Sequence, residues 1–133
     1  MKSILLVDDE AAICVELQRT LHELEYQVEV AHTVESALES INATRFDMVL
    51  VEFNVRSECG TYPRTAGGIR LIRGIRKSGT TVPILVYTVM EGDTYRTASF
   101  NAGSDDFISK QIPISDLFWR FREQYESRPS KIR

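Results

Sequence analysis

Four short apolar runs in this chain each end on a polar group able to do chemistry, and helical periodicity fills the stretches between them. Ile4, Leu5, Leu6 and Val7 lead into Asp8 and Asp9, and Met48, Val49, Leu50 and Val51 lead into Glu52. Pro83, Ile84, Leu85, Val86 and Tyr87 lead into Thr88, and Asp106, Phe107, Ile108 and Ser109 lead into Lys110. Runs of that length read as strands, and strands alternating with helical stretches build βαβ units around a parallel sheet. The carboxyl ends of parallel strands lie on one edge, where open α/β folds place ligands. Two acids, a third carboxylate, a hydroxyl and an ammonium therefore converge on one site. Such a set suits a hard cation together with a phosphoryl group.

The pattern predicts strands at about 3–7, 26–31, 47–53, 82–88 and 105–109, and five helices at about 10–25, 34–43, 68–77, 93–102 and 114–126. Ile13, Leu17, Leu21 and Leu24 form the predicted buried stripe of the first helix. In the second strand, Gln27 and Glu29 alternate with Val28 and Val30, which fits a sheet edge. The first, third and fourth strands are the most uniformly apolar and belong in the middle, giving the order 2-1-3-4-5. One domain over residues 1–126 follows, with 127–133 as a polar, basic tail or linker stub.

A formal net charge of −3 supplies no bulk attraction to nucleic acid. Cys14 and Cys59 do not make a disulfide framework, no stretch is long and apolar enough for a membrane span, and the acidic start does not suit a signal peptide. A cytoplasmic protein, acting without nucleic acid or membrane, is expected. A flavin or nucleotide binder would need a glycine-rich or hydroxyl-rich loop after the first strand, where this chain has Asp8, Asp9 and Glu10. A small metal-dependent phosphohydrolase could use the acids, but its nucleophile is expected at the end of the first strand.

Four motifs now carry a resemblance. Leu5-Leu6-Val7-Asp8-Asp9-Glu10, Phe46-Asp47-Met48-Val49-Leu50-Val51, Val86-Tyr87-Thr88 and Ala102-Gly103-Ser104-Asp105-Asp106-Phe107-Ile108-Ser109-Lys110 are similar, in order, to the receiver domain of bacterial two-component response regulators. The resemblance implies a three-layer, flavodoxin-like α/β fold and a signalling role rather than an enzymatic one. It implies Mg²⁺ held by Asp9, Glu52 and the Asn54 carbonyl, with Asp8 acting through water. It assigns phosphate-side roles to Thr88 and Lys110 and a switch role to the aromatic Phe107. Implied partners are a histidine kinase or output domain, and a homodimer through helix 4, strand 5 and helix 5.

The departures from the family pattern are as informative. Glu52 stands where the family carries the aspartate that accepts phosphate, so this chain resembles an atypical, pseudo-receiver type with a weakly held Mg²⁺. A receiver that still accepts phosphate through a shifted geometry is the alternative. Gln111 replaces the proline usual after the lysine, so a trans path is expected there. An insertion at about 56–66 lengthens the connection into helix 3 and offers Arg56, Tyr62 and Arg64 as a cover or contact surface. Trp119 lies off the apolar stripe of the last helix and is the candidate interface residue.

Overall fold

The computed structural model describes residues 2–58, 67–113, 116, 117, 119, 120, 122 and 123. Five strands, β1 (Ser3–Val7), β2 (Gln27–Ala31), β3 (Met48–Val51), β4 (Ile84–Thr88) and β5 (Asp106–Ser109), pair in parallel in the order β2-β1-β3-β4-β5. Between them run α1 (Ala11–Glu23), α2 (Val34–Ala43), α3 (Gly67–Lys77) and α4 (Asp93–Ala102). These are four bounded helices against the five expected. The fifth span, 114–126, falls partly outside the described residues; Asp116, Leu117, Trp119, Arg120, Arg122 and Glu123 within it are helical.

Residue alternation along each central strand divides the core into two layers. On one face Leu5, Val7, Val49, Val51, Ile84, Val86 and Phe107 pack with Ala37, Leu71, Ile72 and Ile75 from α2 and α3. On the other, Ile4, Leu6, Met48, Leu50, Leu85 and Ile108 pack with Cys14, Leu17 and Leu21 of α1 and with Leu117. The buried stripe of α1 is therefore Cys14-Leu17-Leu21, while Leu24 is 39% exposed and caps the helix end instead of joining the core. Edge strand β2 keeps Gln27 and Glu29 exposed and Val28 and Val30 half-buried, as its alternation predicts.

Register sets the height of the site. Val7 pairs with Val51, Val51 with Val86, and Val86 with Phe107, so Asp8, Glu52, Thr88 and Lys110 emerge within a residue or two of one line. Two glycines let α3 start close to that line: a Cβ on Gly68 would lie 2.5 Å from the Phe53 carbonyl oxygen, and the Gly68 N–H donates to that oxygen at 2.9 Å. All peptide bonds among the described residues are trans.

The start of the predicted insertion is not a free loop. Arg56 bridges Thr33 in parallel and its carbonyl accepts from the Val34 N–H at 3.0 Å, which stitches the chain to the beginning of α2. Glu58 accepts from the Thr33 hydroxyl at 2.9 Å, while Glu35 accepts from the Ser57 hydroxyl and the Glu58 N–H. These two donors hold the Glu35 carboxyl below its ordinary range. Tyr62 and Arg64 lie outside the described residues.

Candidate functional site

At the carboxyl edge of the sheet Glu52 is buried to 5% exposure, and both its oxygens are engaged. Oε2 accepts from the Thr88 hydroxyl at 2.5 Å and from the Asn54 N–H at 3.0 Å, and Oε1 pairs with the Lys110 ammonium at 2.5 Å. Lys110 also donates to Asp8 Oδ2 at 3.0 Å and stands 4.0 Å from Glu10 Oε1. Its ammonium is thus shared by two buried carboxylates and approached by a third. Burial opposes charge on Lys110, but the hydrogen bonds and attraction of Glu52 and Asp8 outweigh it and hold the pKa above the ordinary lysine value.

Asp8 is 2% exposed, too deep for a surface capping acid. Its Oδ1 accepts from the Glu10 N–H at 2.9 Å ahead of α1, and its carbonyl accepts from Nδ1 of His32 at 2.8 Å, which fixes the proton on that ring nitrogen. His32, unassigned from sequence, therefore braces the backbone of the acid loop. Its position just past β2 was the only available signal.

The carboxylates that gather closely enough to share one cation, with ligand atoms within 4.8 Å, are Asp8, Glu10 and Glu52 among the described residues. Asp9, to which the resemblance assigned direct ligation, is half-buried and outside this group, whereas Glu10 is inside it. Asn54 enters the site through its N–H, and its buried Oδ1 has no hydrogen-bond partner among the described residues. These hard oxygens fit Mg²⁺ by donor type. The Lys110 ammonium, however, already pairs with two of the three carboxylates and offsets one of their charges.

Beyond the acids, Phe107 is 4% exposed and meets Phe53 edge-on with ring centroids 6.4 Å apart; Phe53 in turn meets Tyr95 at 5.4 Å. Trp119 is 64% exposed. Among the described residues, no helix is long and apolar enough to cross a membrane.

A doubly wound parallel sheet of order 2-1-3-4-5, with an acid pocket, a hydroxyl and a lysine on its carboxyl edge, defines a flavodoxin-like α/β domain of the receiver type. The profile of the response regulator receiver domain matches residues 4–122, and the chain belongs to that family. It is 34% identical over 119 residues to response regulator MprA of Mycobacterium ulcerans, covering 90% of this chain and 48% of that protein. MprA of Mycobacterium tuberculosis shows the same figures, so the chain spans about half the length of these relatives. Among solved structures, the CheY-like receiver domain protein of Methanospirillum hungatei superposes with a TM-score of 0.83 at 24% identity over 96% of this chain and 95% of that one. The non-phosphorylated HemR receiver domain of Leptospira biflexa gives 0.82 at 26% identity over the whole of both chains.

Proposed function

We propose that this receiver is a pseudo-receiver: Glu52 is not phosphorylated, the domain catalyses nothing, and it signals through protein contacts in a fixed state. The observation that carries this reading is the saturation of the Glu52 carboxylate by Lys110, Thr88 and Asn54. A nucleophilic oxygen must be free to attack in line, and the extra methylene of glutamate displaces it by about 1 Å, a misplacement that costs about 10²-fold in rate. The same contacts draw the Thr88 hydroxyl toward the site while Phe107 stays buried. Glu52 thereby supplies permanently the charge and acceptor oxygens that a phosphoryl group would bring.

A bound Mg²⁺ would be held by Asp8, Glu10 and Glu52 and would supply charge neutralisation. Asp8 and Glu52 meanwhile share the single Lys110 ammonium. Candidate partners are a histidine kinase or an output domain in a cytoplasmic phosphorelay, and a second copy through α4, β5 and the helical residues around Trp119.

Treatment with a small-molecule phosphodonor and Mg²⁺, read by intact mass, tests the proposal. The wild type is expected to stay unmodified, and Glu52→Asp to gain one acid-stable, base-labile phosphoryl group. Phosphorylation of the wild type on Glu52 would establish the competent-receiver alternative instead. An unmodified Glu52→Asp would show that the site departs from the family at more than this residue.

A further inference from the structure

The aromatic at the end of the proposed pathway has an open groove beside it. Phe107, Met90, Glu91, Gly92, Asp93, Arg96 and Ser109 line a surface cavity of about 250 Å³ between the start of α4 and β5. Phe107 thus lines an open groove although it is itself buried. On the inner side it touches Phe53. On the outer side the Arg96 guanidinium carbon lies 5.5 Å from the ring centroid, within cation–π range, and Nη2 lies 3.5 Å from the Phe107 carbonyl oxygen.

We propose that Arg96 is a positioning residue that latches Phe107 inward from the solvent side, so that the α4–β5 face is held by two restraints: the Glu52–Thr88 hydrogen bond within and the guanidinium without. The proposal rests on the reading of Phe107 as the aromatic that follows the charge at Glu52. Two features make Arg96 suited to the task. It is solvent-exposed, so it can swing away without breaking the core, and it sits on the first turns of α4, directly over the ring.

An exposed cation–π contact shifts a two-state balance by about two- to fivefold. Relaxation dispersion on the Phe107 ring and amide, with NOEs to Phe53, measures the outward population directly. Arg96→Gln is expected to raise that population about two- to fivefold without lowering the thermal midpoint appreciably, and Arg96→Lys, which keeps the cation, to restore part of the difference. A Glu52→Ala variant measured alongside separates the two readings. Phe107 released by Arg96→Gln but not by Glu52→Ala supports the latch and removes the coupling to Glu52. Phe107 released by Glu52→Ala but not by Arg96→Gln overturns the latch and leaves the pseudo-receiver standing. An outward population that is the same in Arg96→Gln and the wild type overturns the latch in every case.

Discussion

The hydroxyl of Thr88 donates to Glu52 Oε2 at 2.5 Å inside the protein, and the same oxygen atom of Thr88 accepts from the Met90 N–H at 3.2 Å. One side chain thus ties the end of β4 to the acceptor position and to the first turn of the following loop. Thr88 is wholly buried, so an unmet partner there has no water to turn to.

Thr88→Val keeps the shape and removes both hydrogen bonds. Leaving a buried carboxylate and a backbone donor under-satisfied costs about 1–3 kcal/mol, and the loss is expected as a lower urea midpoint with an unchanged slope. Glu52→Gln in the Thr88→Val background should then cost less than in the wild type, because the pair no longer interacts. Strict additivity of the two substitutions would show that the bond contributes nothing to stability.

Lys110 and a divalent cation are rivals for the same carboxylates. The ammonium lies 3.0 Å from Asp8, 4.0 Å from Glu10 and 2.5 Å from Glu52, where an ion shared by those three acids would have to sit. Millimolar binding of Mn²⁺ or Mg²⁺ to the wild type is expected. Lys110→Ala should bind about tenfold more tightly, and its folded state, which leaves two buried acids unpaired, should be about 3–5 kcal/mol less stable without metal. Paramagnetic broadening of amides 8–10 and 52–54 reads the affinity. Equal affinity in both proteins would place the ion away from the ammonium.

Trp119 is 64% exposed, so truncating it removes little from the core. Trp119→Ala is expected to change unfolding stability by less than about 1 kcal/mol, whereas loss of a core aromatic costs about 3–5 kcal/mol. A large loss would assign the indole to intramolecular packing and end its candidacy as a contact residue.

Strand positions, sheet order and the convergence of Asp8, Glu52, Thr88 and Lys110 were legible because each follows from local periodicity plus one rule about parallel strand ends. Helix boundaries for α2 and α4 were legible for the same reason. The finer contacts were not. Whether Asp9 or Glu10 turns toward Glu52 depends on how the loop enters α1, and the N–H of Glu10 bonding to Asp8 sets that turn. Glu10 was visible as a third acid, but nothing in its spacing ranked it above Asp9. Arg56 read as an exposed loop charge, yet its backbone is paired with the start of α2, a contact between residues distant in sequence that no periodicity signals. His32 and Arg96 act through ring-to-carbonyl and ring-to-cation geometry, which exists only after packing.

Alkaline pH should unfold this domain earlier than its net charge suggests. Burial first, and then the Asp8 carboxylate, push the Cys14 thiol from 9.0 up to about 11. Burial also raises the Tyr87 phenol, while Glu52 and Asp8 overcome burial to raise Lys110. In all three cases the folded state holds its proton more tightly than the unfolded chain does, so stability decreases with pH wherever the unfolded group has ionised and the folded one has not. The contribution is complete below the unfolded values, 9.0 for cysteine and about 10 for tyrosine and lysine, and it is lost as pH climbs through the folded ones. Urea titrations should therefore show level stability from pH 7 to 8 and a decline that begins near pH 9, approaching about 1.4 kcal/mol per pH unit for each proton involved. Cys14→Ala should remove the part of the slope between about 9 and 11 and leave the later part. A wild-type profile that is flat through pH 11 would mean that these groups meet water as freely in the folded protein as in the unfolded chain, which is incompatible with the buried contacts of Cys14 and Lys110 with Asp8.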